Sequence, residues 1–158
     1  MSDRPSQIRC VLLAHFEQLL LLPNAVLAEV IGYREPEAPG TDAPVWYRGD
    51  IEWRQFRTPI VRLDLRGLDA SEETISVRAR IAVCYALGKD ALHPYIGFVT
   101  NSVPRLAPVR DDNLQVVDDR SVPEAVDSLI HCPVQVRDES ALIPDLEAIE
   151  ARLRALRS

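Results

Sequence analysis

Between Pro44 and Leu65 the chain alternates. Tyr47, Gly49, Ile51 and Trp53 share one parity, and Arg48, Asp50, Glu52 and Arg54 share the other. A period of two places the first set on the buried face of a strand and the charges on its open face. After a break at Gln55 and Phe56, a second run over 57–65 buries Val61, Leu63 and Leu65. The two runs predict an antiparallel hairpin with a tight connection. Pro59 has no amide proton to donate, which assigns it to a strand start or a sheet edge. No nucleophile stands beside a base in this stretch; it reads as a surface for holding something.

The flanking pattern is also strand-like. Apolar runs at 8–15 and 17–22 predict a short hairpin that Pro23 and Asn24 interrupt. Residues 25–31 begin as a helical turn, and 29–34 return to strand. Three prolines and a glycine make 35–44 a loop. The clearest alternation predicts a long half-buried strand over 75–85, with Ile75, Val77, Ala79, Ile81, Val83 and Tyr85 on the buried face. A polar connection at 66–74 precedes it and a turn at 88–90 follows. Further strands are expected at 94–100, 105–109 and 114–117, a short helix within 121–130, and a last strand at 132–136. Leu142, Leu146, Ile149, Leu153 and Leu156 then recur at helical spacing, which predicts a C-terminal amphipathic helix with Pro144 in its first turn. Glu150 and Arg154 are expected to pair along it, and Arg152, Arg154 and Arg157 suit its negative end. About nine short strands and one sure helix indicate a mainly all-β architecture of small barrels.

Composition narrows the function more than the fold. A chain of 158 residues, 47% apolar and 27% charged, forms one globular domain or two small lobes sharing a core. A net charge of -6 without a basic cluster argues against nucleic acid as a partner. The apolar runs at 11–14 and 19–22 are far shorter than the roughly 20 residues a membrane helix needs. The N-terminus lacks the charged-then-apolar pattern of a signal peptide. Cys10, Cys84 and Cys132 are isolated and odd in number, as expected for reduced cytoplasmic thiols.

Searches for catalytic chemistry return little. The chain has no P-loop, GxGxxG turn, GxSxG elbow, HExxH or CxxC. His15, His93 and His131 lie far apart. A zinc site from the three cysteines and a histidine is imaginable, but each cysteine falls in a predicted strand, where it serves as a small buried hydrophobe. The adjacent carboxylates Asp111-Asp112 and Asp118-Asp119 point to opposite faces of an extended chain and read as solvated turns. Arg48, Arg54, Arg57 and Arg62 alternate with aromatics on the hairpin, and cannot all be buried without partners.

These residues resemble the CheW-like domain family, adaptors that link chemoreceptors to the histidine kinase CheA. Pro23 is followed by Leu27 and by Glu29-Val30 at the family's offsets, and Pro44, Gly49, Arg54, Pro59, Ile60, Val61 and Leu63 fall in register. The stretch 96–103 is similar to the family's Gly-hydrophobic-hydrophobic-Val-Asp-x-Val strand. Residues 133–150, with Ala141-Leu-Ile, resemble its closing strand and helix. Gln55 stands where the family has a glycine, Arg62 at an acidic position and Asn101 at an aspartate. With Leu-Leu-Leu-Pro-Asn24 and Glu-Trp-Arg54, the likeness is to the ChpC branch of type IV pilus (twitching) chemosensory systems.

The resemblance implies a single domain over 1–158. It would hold two five-stranded SH3-like β-barrels around a shared core, the first lobe near 23–75 and the second near 76–135, completed by the N-terminal strands and C-terminal helix. It implies no catalysis, no cofactor and no metal. Receptor contact maps to Leu27, Gly49 and Arg54, and kinase contact to Glu29 and Val30. The implied partners are the regulatory domain of a CheA-type kinase and the tip of a methyl-accepting chemoreceptor. A glycine at 49 would let another backbone approach closely, and Arg54 would offer a planar fork of donors. Two rivals stand beside this reading. A small hydrolase would need His131 or Cys132 for activity, and a small-molecule sensor would melt higher with its ligand.

Overall fold

The structure, a computed structural model, describes residues 7–65, 75–88, 94–118 and 122–156. The polar connection at 66–74, the turn residues Lys89 and Asp90, His93, Asp119 and Arg157 lie outside the described residues. Eleven strands and two helices are described. The strands are β1 (Ile8–His15), β2 (Gln18–Pro23), β3 (Leu27–Gly32), β4 (Tyr47–Trp53), β5 (Phe56–Val61), β6 (Arg80–Tyr85), β7 (Tyr95–Thr100), β8 (Arg105–Val109), β9 (Leu114–Val116), β10 (Ile130–Val136) and β11 (Glu139–Pro144). The helices are α1 (Glu124–Asp127) and α2 (Leu146–Ala155), and a 3₁₀ turn at Asn24–Val26 precedes β3.

Strands from the two ends of the chain form one sheet, in the order β8-β1-β2-β11-β10-β9. The middle of the chain forms the other, β3-β6-β7-β5-β4. We call them the terminal and central sheets. In each, a hairpin meets the next strand through one parallel pair: β2 beside β11, and β5 beside β7. Both curl into barrel-like shells. The expected lobe limits were 23–75 and 76–135; strand pairing places residues 80–100 in the central sheet with β3, β4 and β5.

Three apolar clusters follow from the alternation within strands. Cys10 and Leu12 of β1 point into the terminal barrel with Leu21, Val134 and Ala141. Val11 and Leu13, of opposite parity, enter a core shared by both sheets, together with Leu20, Val61, Ala82, Phe98 and the α2 residues Leu146, Ile149 and Leu153. Ile51, Trp53, Ile60, Ile81 and Val83 fill the central barrel. The inner stretches of β1, β2, β5, β6 and β7 are therefore wetted on neither face, which is why 19–22 and 96–99 read as unbroken apolar runs. Each large aliphatic side chain buried in this way contributes about 1.5–3 kcal/mol.

Four expectations are corrected here. The strand expected over 75–85 is only β6, and Ile81, Ala82, Val83 and Cys84 are all buried because the two parities face two different cores. Val77, assigned to its buried face, is fully exposed at the apex of a turn closed by Ala79 N–H donating to Ser76 O at 3.0 Å. The strand at 130–136 is not the last, since β11 follows it. Leu142 belongs to β11 and Pro144 ends that strand, so the helix starts at Leu146, capped by Asp145, whose carboxylate accepts from Ala148 N–H at 3.0 Å. Finally, Glu150 is buried and turned to the β6–β7 connection, where its carboxylate accepts from the N–H groups of Leu87 and Gly88. That is the use the structure makes of the residue expected to pair with Arg154.

A buried polar seam joins the sheets. His15, wholly buried, donates from Nδ1 to Val99 O at 2.7 Å and accepts at Nε2 from Leu63 N–H at 2.9 Å, which fixes one neutral tautomer. Asp64 accepts from Glu17 N–H at 2.8 Å, and Asn101 Nδ2 donates to Phe16 O at 2.8 Å. The β1–β2 turn is thus pinned to the central sheet by side chains from β7's end and the segment after β5.

Candidate functional site: one end of the central barrel

The β4–β5 hairpin turns on Arg54 and Gln55, with φ of 49° and 70°. Positive φ at both central residues is the mark of a type I′ turn, whose twist matches the flanking strands. The turn lifts Arg54 clear of the ladder. Its guanidinium carbon lies 4.3 Å from the centroid of the Trp53 ring, and Nη2 lies 3.5 Å from Glu29 Oε2. Glu29 sits on β3, the opposite edge strand of the sheet, so the pair bridges the slot that the curled sheet leaves open. Arg34 Nη1, donating to Glu52 O at 2.6 Å, is a second link between the segment after β3 and β4. Both side chains of the Arg54–Glu29 pair are about half exposed, 58% and 46%. Such a pair is worth about 0–1 kcal/mol, so its members are free to exchange partners.

Beneath and beside Arg54 runs a row of rings from four strands. Trp53 meets Tyr95 edge-on at 4.7 Å, Phe56 meets Tyr95 at 5.9 Å, and Tyr85 meets Tyr95 at 6.0 Å. Trp53 is buried, whereas Phe56 and Tyr85 are 46% and 45% exposed. Large rings held in place yet open to solvent are the usual anchors of protein–protein contact. Phe56 and Tyr95 were not singled out from the sequence, and Tyr85, assigned there to the buried face of its strand, is half exposed. Their convergence depends on β5, β6 and β7 being neighbours, which no local pattern states.

The structure brings some of the expected contact residues together and not others. Arg54, expected to face a receptor, and Glu29, expected to face a kinase, touch each other. Val30 is the next residue on β3, half-buried, paired with Ala82. Leu27 opens β3 and packs half-buried against the shared core. Gly49 is buried, at φ 110°, where β4 carries a bulge relative to β5. The backbone it admits is this chain's own: a Cβ there would stand 1.9 Å from Glu37 O. Glu37 and Asp50 exchange backbone hydrogen bonds at 2.8 and 3.3 Å across this point.

The other hairpin arginines are engaged. Arg57 bonds Asp50 through Nη2 at 3.2 Å and reaches Glu37 at 3.5 Å; Asp50 also accepts from Tyr47 Oη at 2.7 Å. Those contacts hold the Arg57 guanidinium pKa above its ordinary value, the Asp50 hydrogen bond first among them. Arg62 is buried, its Nε donating to Asp64 O and its guanidinium 3.8 Å from the Phe16 ring. The arginine at the family's acidic position is thus an internal strut.

The residues of the rival readings lie apart. Cys10 and Cys132 border the terminal barrel interior while Cys84 is in the shared core. Burial pushes all three thiols up, Cys84 to about 12, away from the thiolate a nucleophile or zinc ligand requires. Among the described residues no group of three or more His, Cys, Asp or Glu could hold a metal ion. The described helices include none long and apolar enough to cross a membrane.

No family model matches the chain, and no curated protein matches its sequence. Among solved structures, the chain is similar to the scaffolding protein TtCheW from Thermoanaerobacter tengcongensis, with a TM-score of 0.65 at 16% identity. The likeness covers 92% of this chain and 89% of that one. The two curled sheets, the shared core and the C-terminal helix therefore make a CheW-like fold.

Proposed function

We propose that the protein is a non-catalytic, cytoplasmic signal-transduction adaptor that couples a chemoreceptor to a CheA-type histidine kinase, in the ChpC manner of type IV pilus (twitching) control. The observation that carries the reading is the CheW-like fold over nearly the whole chain, with an arginine at the family's key position displayed on a barrel end rather than folded inward. Arg54 offers a fork of donors to carboxylates or carbonyls on a receptor's helical tip. Glu29 and Val30, on the edge strand beside it, belong to the kinase-facing surface, and the exposed rings of Phe56 and Tyr85 supply apolar area there. Leu27 contributes from the rim of the shared core. Leu106 of β8 pairs with buried Val11 yet is 73% exposed, and Val103, shortly before β8, is 67% exposed; these open aliphatic side chains support a further apolar contact for a helix. Gly49 serves indirectly, by seating the Glu37 segment against β4.

Calorimetry with the CheW-like regulatory domain of the CheA-type kinase from the same cell tests the kinase half. Micromolar or tighter binding is expected, and no binding at high concentration would sink it. For the receptor half, Arg54→Asp is expected to weaken binding of a receptor tip fragment more than tenfold while the melting temperature stays nearly unchanged. A large loss of stability instead would make Arg54 a structural residue.

A further inference from the structure

Position 150 lies in the buried stripe of α2, beside Leu146, Ile149 and Leu153. An aliphatic side chain would fill that stripe without electrostatic cost, whereas a carboxylate only 6% exposed must have its charge met by donors. Backbone meets it. Oε1 accepts from Leu87 N–H and Oε2 from Gly88 N–H at 2.8 Å, two successive amides on one carboxylate. Among the described residues no cation pairs with Glu150, and Arg152 of the same helix reaches toward Ser128 Oγ at 3.5 Å instead. Glycine at 88 lets the carboxylate in, because a Cβ there would stand 2.6 Å from Oε2. A buried charge spent on one connection, where leucine would pack, is a departure that stability alone does not ask for.

The other face of the connection shows the use. Alternation along β6 sends Ala82 and Cys84 into the shared core with α2, and Ile81 and Val83 into the central barrel. Ala86 N–H donates to Pro94 O at 2.9 Å, so the β6–β7 pairing runs on past Tyr85, and the alternation runs with it. Tyr85 and Leu87 therefore share the barrel-end face, where they are 45% and 50% exposed. The Tyr85 ring belongs there to the row with Tyr95 and Phe56. Helix α2 thus grips the back of this extension while its front presents Leu87. We propose that Glu150 is a positioning residue: by holding the Leu87 and Gly88 amides it fixes Leu87 beside Tyr85, in the surface that meets the kinase's regulatory domain. The inference rests on the kinase contact proposed above and adds Leu87 and Glu150 to it.

Calorimetry of the whole protein with the CheW-like regulatory domain of the CheA-type kinase tests it. Leu87→Ala is expected to weaken binding roughly fivefold, and Glu150→Gln, which keeps the shape and loses the charge, roughly threefold. Gly88→Ala should match Glu150→Gln, and it serves if that variant does not fold, since its methyl group meets the movable end of the Glu150 side chain rather than backbone. In ¹⁵N spectra the Leu87 and Gly88 amides should move upfield in both variants as the charge-assisted bonds are lost, with the terminal-sheet amides unmoved. Because Glu150 acts through Leu87, adding Glu150→Gln to Leu87→Ala should weaken binding little further. A full further loss in that background would make Glu150 a structural residue and overturn the proposal. Wild-type binding with unchanged affinity in Glu150→Gln and Gly88→Ala would overturn this inference alone. No binding by the wild type would overturn the kinase contact, and this inference with it.

Discussion

The terminal and central barrels are laid out alike, each a hairpin joined to its next strand by one parallel pair, yet they are filled differently. The terminal interior is aliphatic and small: Cys10, Leu12, Leu21, Val134, Val136 and Ala141. Every aromatic residue of the chain, nine in all, lies between Phe16 and Phe98, and every one of its six glycines between Gly32 and Gly97. The hairpins differ too. The β1–β2 and β10–β11 connections each place one non-glycine residue at positive φ, Phe16 and Arg137, whereas the β4–β5 turn places two. Arg105 of β8 grips Glu139 of β11 with two bonds at 2.9 and 2.8 Å, while Arg54 touches Glu29 once at 3.5 Å. The terminal barrel leaves single aliphatic side chains such as Leu106 and Val116 exposed at its edges; the central one gathers half-exposed rings, a turn with two left-handed residues and a loose ion pair at one end. Such departures gather where a protein serves something other than its own stability.

The sharpest way to break this contrast is at Gly49. Gly49→Ala would drive a methyl group into Glu37 O and demand φ of 110° from an L side chain. A loss of about 3 kcal/mol or more is expected, by analogy with strained, overpacked sites. Native-state hydrogen exchange should show the damage confined to the central sheet and the 38–43 segment, with the amides of β1, β2, β10 and β11 keeping their protection. Uniform loss of protection would mean that the two barrels unfold as one unit.

Cysteine labelling comes next in size. Native protein at pH 8 is expected to modify half-exposed Cys132 first, Cys10 slowly, and Cys84 only on unfolding. The sign of the pH effect follows from burial. A folded-state pKa raised to about 12 means that the Cys84 contribution is intact below the unfolded thiol's value, near 9, and is lost as pH climbs between the two. Stability should therefore fall on the alkaline side. A rapidly labelled Cys84 at pH 8 would contradict the shared core.

What could be read in the sequence was what is local. The β1–β2 and β4–β5 hairpins, the loop at 35–44 and the strands at 94–100 and 105–109 follow from alternation and from Pro and Gly punctuation. Two errors share one cause. Leu142 has helical spacing to Leu146, and 75–85 alternates cleanly, but the pattern does not know that each sheet here has a core on both faces. The site was half visible. Arg54 stands out on a hairpin, but its meeting with Glu29, 25 positions away, depends on the curl of the central sheet. The same is true of the ring row from β4, β5, β6 and β7 and of Glu150 capping the β6–β7 connection.

The turn at 54–55 gives a smaller, opposite effect. Gln55 occupies, at φ 70°, the place where the resemblance expects glycine. A side chain in the left-handed region costs about 1 kcal/mol that glycine does not incur, offset in part by the freedom glycine has when unfolded. Gln55→Gly should therefore raise stability by about 0.5–1 kcal/mol, read as a higher urea midpoint. If partner binding falls at the same time, the glutamine side chain belongs to the contact surface. A loss of stability would show that the turn is not under strain.

The smallest difference lies between the two ion pairs, and it tests the contrast most directly. Arg105→Gln should cost up to about 1 kcal/mol, because Nη2 donates to both carboxylate oxygens at short range; Arg54→Gln should cost a few tenths, both being half-exposed pairs in high dielectric. The pH dependence separates them further. The hydrogen bond from Arg105 holds the Glu139 carboxyl below its usual range, so its contribution is present above the unfolded pKa and disappears as pH falls through the folded one. The cost of Arg105→Gln should accordingly shrink toward zero as a urea series descends from neutral pH to below pH 4, whatever the salt-sensitive remainder of the surface does. If Arg54→Gln proves the costlier substitution at neutral pH, the loose bridge of the central barrel is the stronger of the two. The reading of that barrel as the part released from stability constraints then fails.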